Sequence, residues 1–299
     1  MVQLARPVRG RFPDFIVIGA MKAGTTSLYH YLAGHPQIFM ASVKELDFFV
    51  EGGNWRRGLD WYRRRFEAAD DGSIAGEAST AYTKHPAVPG VPERIAAVLP
   101  GCKLVYVLRH PIDRIRSHYE HRVAIGSERA PLPEAVIRDP IYTVCSSYSM
   151  QIERYLEVFP REQLLLLTAE GLRSDREATV REVFAFLGVD PSVIPPTLGT
   201  EYYRTEGRAR FPPIAARVRH AVKQHVPGAK RAKELVDSTL PRVVRFEPKT
   251  SAPTLRVTTI VPEATRESLL AMLSDDLDRL STYLPGAVEG WSLDRDRAG

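Results

Sequence analysis

Short apolar runs alternate with amphipathic stretches along the first two thirds of the chain. Continuous apolar runs predict buried strands, and they lie at residues 15–18, 73–80 and 102–108 and in QLLLLTAEGL. The intervening stretches TTSLYHYLAGHP, RHPIDRIRSHYEH, SYSMQIERYLEVFP and SDREATVREVFAFLGV are typical of helices. Strands that alternate with helices predict a three-layer α/β/α fold around a mostly parallel sheet, in which ligands bind at the carboxyl ends of the strands.

The predicted helices have identifiable ends. Pro111 suits a first helical position because it needs no backbone donor there, and Gly34 suits a helix end. Ser174 followed by Glu177 has the spacing of a capping box, and Gly188 predicts the end of that helix. GLDWYRRRF predicts the start of another helix, while VPEATRESLLAML and DDLDRLSTYL predict one or two closing helices that pack back on the core.

The length and composition favour one large domain. The chain has 299 residues, of which 44% are apolar and 26% charged, and this is ordinary for a soluble globular protein. We expect a disordered lead at residues 1–12 and a single domain at 13–299, divided into a core at 13–195 and a lid with C-terminal helices at 196–299.

The charge and the cysteines give only weak indications of ligand type and location. The net charge of +5 suggests an anionic ligand, but no regular interleaving of basic and aromatic residues indicates a nucleic-acid partner. No continuous apolar run follows the N-terminal arginines, so neither a signal peptide nor a membrane anchor is expected. Cys102 and Cys145 are too few for a disulfide framework, which favours a cytoplasmic location.

The loop GAMKAGTTSL has the outline of a phosphate-binding loop. Gly19 and Gly24 keep the glycine spacing of a Walker loop, and Thr26 keeps its hydroxyl. Thr25, however, occupies the lysine position, and a lysine appears inside the loop instead, at Lys22. We expect the loop to surround a tetrahedral anion at the start of a helix, where free N–H groups and the helix dipole favour negative charge.

The strand at residues 102–108 ends in a cation. A nucleoside triphosphatase would have a magnesium-binding aspartate at the end of a neighbouring strand, whereas this strand is followed by Arg109. Ser117 lies eight residues later, two helical turns on, so both side chains can face one anion. The sequence therefore predicts an anion site that uses no metal.

Several motifs resemble those of the sulfotransferases that use 3'-phosphoadenosine 5'-phosphosulfate (PAPS). GAMKAGTTSL resembles their 5'-phosphosulfate loop, and VLRHPIDRIRSHY resembles their 3'-phosphate motif. KELDFF, GLDWYRRRF and GEASTAYT resemble the glycan-acting branch, the heparan sulfate sulfotransferases. The resemblance runs in order over residues 13–190 and implies a P-loop-NTPase-like fold in a soluble, bacterial-type member of the family.

The resemblance implies PAPS as the sulfuryl donor, adenosine 3',5'-bisphosphate (PAP) as the product, and no metal. Lys22 would then lie beside the bridging oxygen and stabilise the charge that builds there as the S–O bond breaks. Arg109 and Ser117 would hold the 3'-phosphate, and TEGRARFPP resembles a loop that closes over the nucleotide. The cofactor-binding residues implied are Lys22, Ala23, Gly24, Thr25, Thr26, Ser27, Arg109, Ser117, Gly207 and Arg208.

The acceptor needs a general base or a hydrogen-bond partner as it attacks sulfur. Glu45 matches the glutamate that serves this role in the glycan branch, and its neighbour Lys44 would point to the donor or to an acidic acceptor. The rival bases are histidines, of which His85 is favoured over His30 and His35. The choice between Glu45 and His85 stays open at this point.

Two further expectations concern which side chains are exposed. In an extended VKELDFF segment, Glu45, Asp47 and Phe49 would share one side, while Lys44, Leu46 and Phe48 would share the other. Arg114 and Arg116 lie on other faces of the helix that carries Ser117, and we expect both to be solvated.

The function predicted is O-sulfation of a small-molecule, sugar, glycolipid or secondary-metabolite acceptor. The alternatives are a P-loop-type nucleotide kinase and a non-catalytic nucleotide-binding module. Residues 205–249 carry eleven Lys and Arg against four Asp and Glu, so this segment could cover the cofactor, meet an anionic acceptor or lie on a membrane.

Overall fold

Five short strands form one parallel sheet in the order β2-β3-β1-β4-β5. The computed structural model describes residues 10–200, 202 and 259–291. The strands are β1 Phe15–Gly19, β2 Ile38–Met40, β3 Ile74–Ala78, β4 Lys103–Leu108 and β5 Leu164–Thr168. β1 lies at the centre, between β3 and β4, so the segments that follow these three strands meet at one edge of the sheet.

Helices connect and flank the strands. The α-helices are α1 Thr25–Ala33, α2 Leu59–Arg63, α3 Val91–Val98, α4 Pro111–Ala124, α5 Leu132–Arg138, α6 Ile141–Val144, α7 Tyr148–Leu156, α8 Gly171–Ser174, α9 Arg176–Leu187, α10 Glu263–Tyr283 and α11 Pro285–Gly290. Short 3₁₀ turns lie at Trp55–Arg57, Arg64–Phe66, Thr80–Thr83 and Arg161–Gln163. No helix among the described residues is long and apolar enough to span a membrane.

The order of the strands places helices on both faces of the sheet. The chain moves in one direction from β1 to β2 and in the other from β3 to β4, so right-handed connections put α1 and α3 on opposite faces. On the face of α1, the ring of His35 meets that of Phe184 in α9 at 4.4 Å between centroids. α10 packs against α4 and α7. The predicted α/β/α architecture is confirmed.

Two glycines let the sheet pack closely beneath its functional edge. A Cβ on Gly76 in β3 would come within 2.2 Å of the ring of Phe15. A Cβ on Gly19, the last residue of β1, would lie 2.0 Å from Oγ1 of Thr83. Because real Cβ atoms never approach so closely, the turn after β3 can contact the end of β1 only if residue 19 is glycine.

The elements largely follow the sequence pattern, with two differences. The short edge strand β2 was not expected, and helix α9 is capped by Asp175, whose side chain accepts a hydrogen bond from Ala178 N at 3.4 Å, rather than by Ser174. Gly188 ends α9 in a left-handed conformation and Pro111 begins α4, as predicted. Ser174 cannot cap α9 because it is the last residue of the preceding α8.

The C-terminal helix α10 packs back on the core, as expected. The carboxylate of Asp276 accepts hydrogen bonds from the amides of Ser149 and Met150, at 3.1 and 3.0 Å. These amides belong to the first turn of α7, where a helix leaves its own N–H groups unpaired. Asp276 therefore caps α7 from a distant part of the chain.

Candidate active site

The loop after β1 is shaped by residues with positive φ. Lys22 has φ of 73° and Gly24 has φ of 91°, and α1 begins immediately afterwards at Thr25. Gly24 is exposed and brings no side chain to the start of the helix. The first amides of α1, on Thr25 and Thr26, have no partners within the helix, so this end can accept an anion at its backbone.

Arg109 joins the end of β4 to this loop. Its Nη1 donates a hydrogen bond to the carbonyl oxygen of Lys22 at 3.1 Å. Its Nε atom is buried and makes no hydrogen bond to any described residue. Burial lowers the pKa of Arg109, and within residues 10–200, 202 and 259–291 no carboxylate forms an ion pair with it. A partly buried guanidinium with a spare donor fits an anionic ligand beside the loop.

The backbone of Arg109 is held by side chains that sequence reasoning missed. The hydroxyl of Tyr148 in α7 donates to the carbonyl of Arg109 at 2.6 Å and accepts from its amide at 3.3 Å. Burial raises the pKa of Tyr148, so the phenol stays neutral and can play both roles. Glu170 accepts hydrogen bonds from the amide of His110 and from the indole of Trp291, both at 3.1 Å. No sequence signal pointed to these contacts, since they come from three separate elements.

Glu45 lies at the end of β3, the other neighbour of β1. Its amide donates to Ala78 O at 2.8 Å, and its Oε2 accepts from the amide and the hydroxyl of Thr80 at 2.7 and 3.0 Å. Lys44 donates to Oε1 of the same carboxylate. Glu45 keeps 37% of its side chain exposed, so the carboxylate is oriented yet accessible at the edge where the loop after β1 also lies.

The chain from Lys44 to Phe49 is not extended, contrary to the expectation. Glu45 and Asp47 have φ of 62° and 48°, which turns the backbone twice. Phe48 and Phe49 are therefore both buried instead of lying on opposite sides. The ring of Phe48 stacks on the ring of Tyr62 at 4.2 Å between centroids. In an extended segment Phe48 and Phe49 would lie on opposite sides, so they could not both pack in the core.

Residues 12–203 match a family model described as a sulfotransferase domain. The chain belongs to the sulfotransferase family. The match spans more than half of the chain, and it confirms the resemblance first drawn from the motifs.

Relatives and a solved structure agree with this assignment. The mouse bifunctional heparan sulfate N-deacetylase/N-sulfotransferase 2 is 31% identical over 203 residues, which cover 60% of this chain and 22% of that protein. The human bifunctional heparan sulfate N-deacetylase/N-sulfotransferase 3 is 32% identical over 207 residues, which cover 60% of this chain and 23% of that protein. The chain thus spans less than a quarter of these relatives. A crystal structure of a sulfotransferase from Alicyclobacillus acidocaldarius superposes with a TM-score of 0.66 at 26% identity, covering 94% of this chain and 99% of that chain.

The other predicted cofactor residues of this sulfotransferase lie in different surroundings, and two of them are not described by the structure. Ala23 and Thr25 are buried in the loop and at the start of α1, and Ser117 is buried on α4. The hydroxyl of Ser27 both donates to the carbonyl of Tyr202 and accepts from its amide, at 3.1 and 3.2 Å, so this hydroxyl is hydrogen-bonded within the protein. Gly207 and Arg208 lie outside the described residues, as does the basic segment 205–249.

The three histidines considered as rival bases differ in their surroundings. His35 is 2% exposed, and its ring nitrogens contact Asp190 O at 2.9 Å and the amide of Gln37 at 3.1 Å, so it serves the structure. His30 stacks on the ring of Tyr202, and burial, followed by the charge of Lys44, lowers its pKa. The backbone of His85 is fixed by hydrogen bonds to the side-chain amide of Gln151.

One of the arginines expected at the surface is in the core. Arg114 is fully buried and donates to the hydroxyl of Ser146 at 2.5 Å and to the carbonyl of Tyr142. Arg116 is partly exposed and pairs with Asp113 at 2.7 Å, as a solvated residue would. The expectation for Arg114 is wrong because α5 and α6 pack over the face of α4 that carries it.

Proposed function

We propose that this sulfotransferase moves a sulfuryl group from PAPS to a hydroxyl of a small-molecule, glycan or lipid acceptor. The observation that carries the proposal is the hydrogen bond from Arg109 to the carbonyl of Lys22. It joins two predicted anion-binding motifs, while the guanidinium keeps a buried donor to spare. A nucleotide with phosphates at both the 5' and 3' positions is the ligand that such a pair of adjoining anion sites fits.

The donor would be held mainly by backbone groups and fixed cations. In this proposal the amides of the loop and of the first turn of α1 bind the 5'-phosphate, and Lys22 stabilises the charge on the departing bridging oxygen. Arg109 and Ser117 bind the 3'-phosphate, because a guanidinium fork and a hydroxyl both donate to phosphate oxygens. Gly207 and Arg208 remain predicted lid residues.

Glu45 would accept the proton of the attacking acceptor. The two donors of Thr80 occupy Oε2, and the ammonium of Lys44 contacts Oε1, so the carboxylate has a defined orientation and remaining lone pairs. His85 stays the rival base. Lys44 would contact the donor or an acidic acceptor.

An amine acceptor is the second candidate. The curated relatives above are named as N-sulfotransferases, which favours nitrogen. We favour a hydroxyl because its proton leaves as the oxygen attacks, so an adjacent carboxylate acts in the transition state, whereas a neutral amine attacks through its lone pair and loses its proton afterwards.

The test combines binding with transfer. We expect PAP to raise the melting temperature more than ATP with magnesium does, and labelled sulfate to pass from PAPS to hydroxyl acceptors before their amine analogues. Lys22→Ala should lose about 10²- to 10³-fold in kcat while it still binds PAP, since only the charge of the transition state loses its partner. Stabilisation by ATP and magnesium alone, or full activity of Lys22→Ala, would overturn the proposal; preference for amines would select the second candidate.

A further inference from the structure

Glu77 is a fully buried carboxylate in β3 that has no role in the proposal above. Its Oε1 accepts hydrogen bonds from the hydroxyls of Tyr62 and Tyr82, at 2.6 and 3.0 Å. Its Oε2 accepts from the hydroxyl of Ser79 at 2.8 Å. A carboxylate in the interior is costly to bury, and three hydroxyl donors offset part of that cost.

Two of these hydroxyls continue to the segment that carries Glu45. The hydroxyl of Ser79 accepts a hydrogen bond from the amide of Asp47 at 3.0 Å. The hydroxyl of Tyr82 accepts from the amide of Phe49 at 3.3 Å. Each hydroxyl therefore accepts a hydrogen bond from an amide of the segment and donates one to Glu77.

We propose that ionised Glu77 is a positioning residue that holds residues 44–49 in the conformation required for sulfuryl transfer. The proposal rests on the function proposed for Glu45. The segment needs external support because it adopts positive φ at both Glu45 and Asp47, a conformation that side chains of L-residues seldom take. The amides of Asp47 and Phe49 donate to the hydroxyls of Ser79 and Tyr82. The carboxylate of Glu45 accepts from the amide of Thr80, the residue that follows Ser79.

The charge of Glu77 sets the direction of every proton in this network. An ionised carboxylate only accepts, so both linking hydroxyls point their protons toward it and their lone pairs toward the amides. If Glu77 were protonated on Oε2, it would have to donate to the hydroxyl of Ser79, which is the partner of that oxygen among the described residues. The hydroxyl of Ser79 would then point its own proton toward the amide of Asp47, and the hydrogen bond that it accepts from this amide would be lost.

The surroundings of Glu77 make this change accessible near neutral pH. Burial raises the pKa of Glu77 to about 7, the three hydroxyl donors oppose the shift, and the charge of Asp47 adds to it. Tyr62, Tyr82 and Cys102 also face this carboxylate, but burial raises the pKa of each of them well above its usual value. They stay neutral while Glu77 titrates, so the segment should lose its support as the pH falls through 7.

Glu77→Gln tests the proposal in the full chain. We expect kcat at pH 8 to fall about 10- to 100-fold, as for a misplaced catalytic group, with KM for PAPS nearly unchanged. The wild-type loss of kcat below pH 7 should vanish in the variant. Wild-type kcat in a folded Glu77→Gln protein, or an unchanged acidic limb, would overturn the proposal.

Tyr62→Phe is the matched control. It keeps the ring that stacks on Phe48 and removes one donor to Glu77, but it leaves both links to the segment intact. We expect its kcat on the plateau above the acidic limb to match the wild type, while the acidic limb moves to higher pH because the carboxylate has lost a donor. A loss of kcat on that plateau equal to the loss in Glu77→Gln would show that any disturbance near Tyr62 has the same effect, and would overturn the proposal.

Amide hydrogen exchange separates this inference from the proposed function. In the wild type, after correction for intrinsic rates, the amides of Asp47 and Phe49 should be protected at pH 8 and lose protection below pH 7. This measurement needs neither activity nor a folded variant. Protection that does not change with pH overturns the role of Glu77, whereas failure to transfer sulfate with the exchange pattern intact overturns only the proposed function.

Discussion

The two halves of the candidate site are built in different ways. At the ends of β1 and β4, the backbone and a few cations form the site, with positive φ at Lys22 and Gly24 and a spare donor on Arg109. At the end of β3, hydrogen-bonded side chains form it, and the carboxylate of Glu45 already has its donors in Thr80. The first half therefore has donors that an anionic ligand could use, while in the second half the carboxylate has its hydrogen-bond donors within the protein.

This difference has a physical consequence. Donors left over in a partly buried site raise the free energy of the ligand-free protein, so a bound anion should stabilise the first half strongly. A base needs the opposite arrangement, because its carboxylate must be held and yet keep lone pairs for the acceptor. Mutations of the second half should therefore affect turnover, and mutations of the first half should affect ligand affinity, except at Lys22, whose charge would act in the transition state.

The largest expected effect comes from removing the charge of Glu45. Glu45→Gln keeps the size of the side chain but cannot take a proton from the acceptor, so we expect kcat to fall about 10²- to 10³-fold. KM for PAPS should change little, because the donor is held in the other half of the site. Initial rates over a range of donor and acceptor concentrations would separate the two parameters.

Glu51→Gln is the control for this prediction. Glu51 is an exposed carboxylate six residues later in the chain, and its removal changes the net charge by the same amount. Its kinetics should match those of the wild type. Equal losses in both variants would mean that the local charge matters rather than the position of Glu45, and full activity of Glu45→Gln would point to His85 as the base.

The first half of the site was accessible from the sequence. Its predicted residues are defined by glycine spacing and by positions next to the strands, and these are properties of neighbouring positions in the chain. Lys22, Gly24 and Arg109 could therefore be identified from the loop and from the end of the strand at residues 102–108. The alternation of strands and helices predicts a parallel sheet, but it does not predict the strand order that brings these residues together.

The second half was accessible only in part. A period of two assigned Phe48 and Phe49 to opposite sides, because local pattern cannot reveal the positive φ at Glu45 and Asp47. No local pattern could assign a role to Glu77, since its three partners come from a helix and a turn. Contacts between distant elements decide such positions, as they do for Arg114, whose partners lie on and just after α6.

The next effect tests whether Arg109 recognises an anion. Arg109→Ala should weaken binding of PAP by about 2 kcal/mol, or roughly 30-fold, and weaken binding of adenosine 5'-monophosphate much less. Calorimetric titration of both nucleotides measures this ratio. The expectation follows from the spare donor on Nε, which a 3'-phosphate would use.

Arg116→Ala provides the matched comparison. Arg116 lies on α4, is partly exposed and pairs with Asp113 at 2.7 Å, and such a pair contributes about 0.2–1 kcal/mol to stability. Its loss should leave both affinities unchanged. If Arg109→Ala reduces the affinity for the two nucleotides equally, Arg109 acts on the loop through Lys22 rather than on the 3'-phosphate.

The smallest effect concerns the support of the first half from a distance. Asp276 caps the amides of Ser149 and Met150 in α7, next to Tyr148, whose hydroxyl clamps the backbone of Arg109. Asp276→Ala leaves those amides without their acceptor, so the free energy of unfolding should fall by about 1–2 kcal/mol.

Asp278→Ala, two residues further along α10, removes an exposed carboxylate and should leave stability within about 0.5 kcal/mol of the wild type. Chemical denaturation measures both variants. Any ligand of the native state stabilises both proteins, so the quantity to compare is the stability that each ligand adds. Because PAP would bind beside Arg109, PAP should add less stability to Asp276→Ala than to the wild type, whereas an acceptor that contacts only the Glu45 half should add the same amount to both. If both ligands added less stability to Asp276→Ala, the two halves would not respond separately.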